Sequence, residues 1–406
     1  MERSNNFMQR NKIKLGIFGF GCVGQGLFNV LDKTKGMKAE IVKICVKDRN
    51  KHRTIPMDFF TYDKDEILDN PEVNVVVELI DDPEAAYEIV TKALRSGKNV
   101  VTANKKMVAE HFEELFNLQK EYNTALLYEA SCCASIPIIR NLEEYYDNDL
   151  LNSVEGIFNG STNYIMTKVF NENVDFGTAL EIARQNGFLE SDPTLDIEGY
   201  DAKYKLCILL AHTFGYFVKP ENIYNLGISR INDFDINYAR EKGFNIKLVA
   251  YCRKVENNIY AFVLPKFVEK SSPLYNVNYE FNGIKVESFF SENQFFYGKG
   301  AGSLPTGSAV LSDISALTYD YKYEYKKYYQ NHSSELSNDF VLDLFLRYPN
   351  RYKMNLSIFK FIRESFSSQD YNYINGQIKF SSLIESRIFQ NKDISIIRNI
   401  GEPQFN

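Results

Sequence analysis

Residues Gly16–Leu27 read GIFGFGCVGQGL. The apolar run KIKLGIFGF leads in, and VGQGLFNVLD leaves with helical patterning. Gly19, Gly21 and Gly24 thus form a G-x-G-x-x-G spacing between a strand and a helix, the setting in which that spacing carries meaning. The first glycine permits a tight turn, the second lets backbone N–H groups approach a pyrophosphate, and the third lets helix pack on strand. The helix N-terminus adds partial positive charge. With Cys22 and Val23 between them, these glycines predict a dinucleotide-binding turn.

The flanking sequence agrees. EIVKICV (40–46), VNVVVELI (73–80) and NVVTAN (99–104) read as further strands, separated by helices such as AAYEIVTKALRSGK. Near-continuous Val and Ile predict a parallel sheet covered on both faces. The second strand ends Val46-Lys47-Asp48-Arg49. An acid there favours NAD through the ribose hydroxyl, whereas Lys47 and Arg49 suit a 2′-phosphate, and the balance favours NADP over NAD.

After about residue 141 the texture changes to helices followed by strand pairs. NIKLVAYCRK and IYAFVLPKFV flank Glu256-Asn257-Asn258, and Asn282-Gly283 reads as a hairpin turn. PTGSAVLSDISALT (305–318) reads as a helix with proline in its first turn. Residues 319–338 lack apolar periodicity and read as a linker. Beyond it, FVLDLFLRY predicts a strand, NLSIFKFIRE a helix, and strands surround Asn375-Gly376. The expected division is 1–140, completed by helix 305–318, then 141–304, linker 319–338 and a small α/β segment 339–406.

The 406 residues exceed one ordinary core, and 44% hydrophobic with 25% charged residues is globular composition. A net charge of −6 offers nucleic acid no attraction. Six cysteines without a CxxC pair, and no apolar leader, favour reduced thiols in the cytoplasm. No apolar run is long enough to span a membrane.

The segment NGFLESDPTLDIEGYDAKYK (186–205) gathers Glu190, Asp192, Asp196, Glu198 and Asp201 ahead of Lys205. Asp201 and Lys205 share a helix face, and alone they read as a surface ion pair worth about 0.3–0.5 kcal/mol. Beside a dinucleotide the same residues acquire chemistry. Hydride transfer to a carbonyl needs a proton donor for the developing alkoxide. A partly desolvated lysine can serve, and nearby acids suit a substrate ammonium.

From residue 12 to about 318 the chain resembles homoserine dehydrogenase. The resemblance rests on the glycine turn, TANKK (102–106), NGSTNYIM, ESDPTLDIEGYDAKYK and GKGAGSLPTGSAVLSDI. It implies reduction of L-aspartate 4-semialdehyde to L-homoserine with NAD(P)H, on the branch to threonine and methionine. The implied fold is α/β: a Rossmann-type dinucleotide-binding domain, an α+β substrate and dimerisation domain with an antiparallel sheet, and a small C-terminal α/β, ACT-like or assembly, appendage. It implies Lys205 as proton donor and Lys105 as second active-site lysine, both converging on the substrate carbonyl. It implies Gly187, Glu190, Asp196 and Asp201 as substrate contacts, and Lys47, Thr102, Lys105, Gly300, Ala301 and Gly302 as cofactor contacts. It also implies a monovalent cation, sodium, held by oxygens of Glu129, Cys132, Ala134 and Ile136, and a homodimer or higher homo-oligomer.

The family has glycines where this chain has Asp81, Asp82, Cys133 and Ser135. Acids near a phosphate-bearing ligand repel it unless they point outward. Two other readings compete with the dehydrogenase. A phosphorylating semialdehyde dehydrogenase needs a nucleophilic cysteine, which SCCAS (131–135) offers. A catalytically weakened paralogue would act as a cofactor or amino-acid sensor.

Overall fold

The computed structural model describes residues 12–34, 36, 39–148, 150–189, 192–330 and 333–405. The chain forms two compact units, one of residues 1–143 with 301–325, the other of residues 144–300 with 326–406.

The first unit is built on six parallel strands: β1 (Ile13–Phe18), β2 (Ala39–Cys45), β3 (Phe60–Thr61), β4 (Val75–Glu78), β5 (Asn99–Thr102) and β6 (Leu126–Leu127). Their order is β3-β2-β1-β4-β5-β6, the doubly wound arrangement. Val75, Val76 and Val77 are all fully buried, as expected of a strand covered on both faces. The helices include α1 (Cys22–Lys33), α2 (Asp65–Leu68), α3 (Pro83–Arg95), α4 (Lys105–Glu110), α5 (Phe112–Tyr122) and α6 (Ile138–Glu144).

The helix Ser303–Ala316 returns to this unit and packs on α1 through glycine. A Cβ on Gly26 would lie 1.9 Å from the Ser303 carbonyl oxygen, and one on Gly307 would lie 2.5 Å from the Gly26 carbonyl carbon. Ser303 Oγ also donates to the Cys22 carbonyl at 2.7 Å. The expected linker opens with two anchored side chains. Tyr323 and Tyr325 are buried, and the Tyr325 hydroxyl lies 2.8 Å from that of Tyr128.

The second unit carries β7 (Leu151–Ile157), β8 (Tyr224–Asn225), β9 (Asn245–Val255), β10 (Asn258–Val268), β11 (Phe281–Ser288) and β12 (Glu292–Lys299). Its helices are α7 (Gly160–Glu172), α8 (Phe176–Gln185), α9 (Thr194–Ile197), α10 (Tyr200–Phe214) and α11 (Asp233–Glu241). The sheet runs β12-β11-β7-β9-β10 and then continues into the C-terminal segment. There β13 (Glu335–Leu336) pairs with β10, and β14 (Phe340–Pro349), β15 (Phe359–Ser367), β16 (Tyr371–Lys379), β17 (Ser395–Arg398) and β18 (Gln404–Phe405) extend the sheet. The expected appendage is therefore part of one mixed sheet and one core, in which Phe262, Phe340 and Phe380 pack together. Arg398 of β17 and Lys266 of β10 both bond the buried Glu155 carboxylate of β7, at 3.1 and 2.7 Å.

Three sequence expectations fail here. NLSIFKFIRE is a 3-10 turn followed by β15, because pairing with β16 decides its conformation. Asn282-Gly283 lies within β11, and the β11–β12 hairpin turns after Ser288. A Cβ on Gly283 would meet Val277 Cγ2 at 2.6 Å, so this glycine serves close packing. Asn375-Gly376 likewise lies within β16, where a Cβ on Gly376 would approach the Phe361 carbonyl to 2.5 Å.

Candidate active site

In the first unit, Gly19 adopts a left-handed φ of +94°, and a Cβ there would meet the Leu79 carbonyl at 2.6 Å. A Cβ on Gly24 would lie 2.5 Å from the Gly19 carbonyl, so the helix sits directly on the turn. Around Gly21, a Cβ would meet nothing within 4 Å. Gly21 caps α1 without a side-chain hydrogen bond, and Cys22 at the first position is exposed. A bare N-terminus behind an open glycine fits a pyrophosphate.

Lys47, just beyond the end of β2, is exposed and lies 3.6 Å from Asp82. Asp82 also caps α3, accepting from Ala85 N at 3.1 Å, which holds its carboxyl below the usual range. Asp81 and Asp82 are both exposed. One of the two unexpected acids therefore begins a helix, a role glycine fills less well. Arg49 stacks over Tyr62 at 4.8 Å. Thr102 is fully buried at the end of β5, and its hydroxyl donates to Glu78 at 2.5 Å. Lys105 is half-buried and opens α4, whose cap is Asn104.

Glu129 is buried, and its carboxylate accepts from Ile139 N and Arg140 N at 2.9 and 2.8 Å. It thereby caps α6. Burial and neighbouring Asp313 push its pKa up to about 8. In the loop that follows, Cys133 and Ala134 have φ of 56° and 40°. The left-handed conformation that glycine would take without strain is thus adopted here by two side-chain-bearing residues. Cys132 and Cys133 are buried, which does not suit an attacking thiolate.

In the second unit Asp196 and Asp201 of the acidic segment come together. Lys205 Nζ donates to Asp201 Oδ2 at 2.7 Å and to the Phe158 carbonyl at 2.7 Å. Both side chains are buried, so this is no surface pair. Asn159 caps α7 through Thr162 N at 2.8 Å, and its amide nitrogen donates to Asp196 at 2.6 Å and Asp201 at 2.9 Å. One asparagine thus ties together two of the three acids expected to meet substrate. Asn282 Nδ2 donates to the same Phe158 carbonyl at 3.1 Å, while its Oδ1 is buried without a hydrogen-bond partner. Gly300 makes room for this amide, since a Cβ there would lie 2.2 Å from Asn282 Oδ1. Gly302, at φ +123°, leads from exposed Ala301 into the helix Ser303–Ala316. Gly187 lies at the exposed end of α8 with φ +75°. Glu190 lies outside the described residues.

No functional role follows from sequence for Asn159, Phe158, Asn282 or Glu78. NGSTNYIM contained the first as a cap signal, an asparagine ahead of a helical run. Asn282 was masked by its turn-like Asn-Gly pairing. A backbone carbonyl such as that of Phe158 leaves no trace in residue type.

Comparisons with known proteins give the family. Residues 19–129 match the family model "Homoserine dehydrogenase, NAD binding domain", and residues 137–315 match "Homoserine dehydrogenase". The homoserine dehydrogenase of Lactococcus lactis is 37% identical over 313 residues, 74% of this chain and 73% of the relative. That of Bacillus subtilis is 37% identical over 314 residues, 75% and 72% of the two chains. The crystal structure of a homoserine dehydrogenase from Thiobacillus denitrificans superposes with a TM-score of 0.85 at 28% identity, covering 95% of this chain and 98% of that one. A hyperthermophilic archaeal homoserine dehydrogenase in complex with NADPH gives 0.67 at 28% identity, covering 77% and 99%. No described helix is long and apolar enough to cross a membrane. The chain belongs to the homoserine dehydrogenase family, NAD(P)-dependent oxidoreductases acting on the alcohol of homoserine.

Proposed function

We propose that Lys205 is the proton donor when this chain reduces L-aspartate 4-semialdehyde to L-homoserine. The observation that carries the reading is the buried Lys205 ammonium, directed by Asp201 and the Phe158 carbonyl. When bound, the reduced nicotinamide supplies the hydride. Lys205 donates its proton to the oxygen that becomes the alkoxide, and Asp201 beside it holds the ammonium in place. Asp196 and Asp201, with Glu190 and the Gly187 backbone, are read as holding the substrate ammonium. Lys105 is read as the second active-site lysine.

The cofactor is read as NADP, held by Gly19, Gly21, Cys22, Val23, Gly24, Thr102, Lys105, Gly300, Ala301 and Gly302, with Lys47 toward the 2′-phosphate. The uncapped α1 supports the pyrophosphate, and exposed Lys47 supports the phosphate. A monovalent cation is read at the loop Glu129–Ile136, with carbonyls of Cys132, Ala134 and Ile136 as donors. The buried carboxyl of Glu129 at the head of that loop supports it. A homo-oligomer is read from the exposed aromatics Phe289, Phe290, Phe295 and Tyr297 along edge strand β12 and its turn.

The test is spectrophotometric: L-homoserine with NADP, and with NAD, on the wild type and Lys205→Ala. The wild type is expected to turn over, and the variant to lose its rate while still binding NADPH. Unchanged turnover in the variant removes the proposed donor.

A further inference from the structure

Glu78, the last residue of β4, is fully buried. Its Oε1 accepts from Ile80 N at 2.7 Å and its Oε2 from the Thr102 hydroxyl at 2.5 Å. Thr102 Oγ1 in turn accepts from Asn104 N at 3.0 Å. Asn104 Nδ2 donates to the Ile80 carbonyl at 3.1 Å, and its Oδ1 accepts from Met107 N at 3.0 Å. The bonds form one closed ring between the loop after β4 and the loop after β5. Lys105 begins α4 at the edge of that ring. Leu79, between Glu78 and Ile80, is the residue whose carbonyl crowds Gly19. A carboxylate buried this deeply is costly unless every lone pair has a use.

The strand order gives the ring a place. β2 and β3 lie on one side of β1, and β4, β5 and β6 on the other. In this topology the β1–β3 half takes the adenosine mononucleotide, leaving the β4–β6 half for the nicotinamide mononucleotide.

We propose that Glu78 is a positioning residue for the nicotinamide half of the cofactor, acting through Ile80 and Thr102 to fix the two loops that flank it. This rests on the reading of the chain as an NAD(P)-dependent dehydrogenase. Glutamine at position 78 can accept from Ile80 N and donate to Thr102 Oγ1, so it preserves the ring. Alanine removes both bonds.

The experiment is calorimetric titration of the full chain with NADPH and with 2′-phospho-ADP-ribose, the same ligand without nicotinamide. NADH and ADP-ribose are run in parallel. Glu78→Ala is expected to weaken the dinucleotide at least tenfold and the truncated ligand less than twofold. Glu78→Gln is expected within threefold of wild type on both. Equal losses for both ligands in Glu78→Ala, or no loss, overturn the proposal. Should that variant fail to fold, Asn104→Ala, which opens the same ring at the Ile80 carbonyl, carries the test, with the same selective loss expected and a uniform or absent loss refuting it. A wild type that binds NADPH but oxidises no homoserine refutes the catalytic reading and leaves the ligand comparison to judge Glu78.

Discussion

Replacing Lys205 by Met tests stability and chemistry at once. The ammonium lies 2.7 Å from Asp201, with both side chains buried. At an effective dielectric of about 20, that separation corresponds to a gross attraction of about 6 kcal/mol. Most of it offsets desolvation, so the informative quantity is the cost of stranding one partner, about 3–5 kcal/mol. Asn159 still donates to Asp201 in the variant, which places the expected loss near the lower end, about 3 kcal/mol. Adding Asp201→Asn removes the stranded charge and is expected to recover at least half of that loss. Activity is expected to behave differently. The single variant should lose about 10²–10⁴ in kcat, and the double variant should recover none of it. Urea unfolding measures the first quantity and steady-state homoserine oxidation the second. A single variant that costs under 1 kcal/mol refutes the buried-pair argument, and a double variant with restored turnover refutes the proton donor.

Three further outcomes follow from the geometry. Lys247 is buried on neutral partners, Asn163 Oδ1 and the Val277 carbonyl, and burial lowers its pKa to about 7. The unfolded chain therefore binds the extra proton between about pH 7 and 10.4, so wild-type stability should rise with pH across that window relative to Lys247→Met. Parallel denaturation curves for the two proteins across it would refute this. Gly26→Ala places a methyl 1.9 Å from the Ser303 carbonyl, and thermal unfolding should show a loss of about 1–3 kcal/mol or more; an unchanged midpoint would mean the helices part freely. Asp82→Ala should cost about 1 kcal/mol through the lost cap of α3. It should also release Lys47 and raise the NADP-over-NAD preference about two- to fivefold, the worth of an exposed pair; a lowered preference would remove Lys47 from the phosphate.

The dinucleotide fold was legible because its determinants are local. The spacing of Gly19, Gly21 and Gly24 and the Val-rich strands speak through steric and burial rules acting over a few residues. Asp201 and Lys205 were legible as a pair by their helical spacing, but not as a buried one. Their burial comes from the Phe158 carbonyl and Asn159, some 40 positions earlier in the chain. The C-terminal segment was the hardest to read. LSIFKFI carries apolar residues at helical intervals, yet β15 is extended because β16 offers it a ladder. The two Asn-Gly pairs failed for a related reason: close packing of neighbours, not a turn, asks for the missing side chain.

The contact between Gly26 and the helix Ser303–Ala316 also bears on how this protein is made. The Ser303–Cys22 hydrogen bond joins groups 281 residues apart in sequence. At about 5–20 residues per second, a ribosome needs about 14–56 s to deliver the second partner after the first. Throughout that interval the glycine face of α1 has nothing to rest on, so the nucleotide half of the molecule must wait for its last helix while the other half is already emerging.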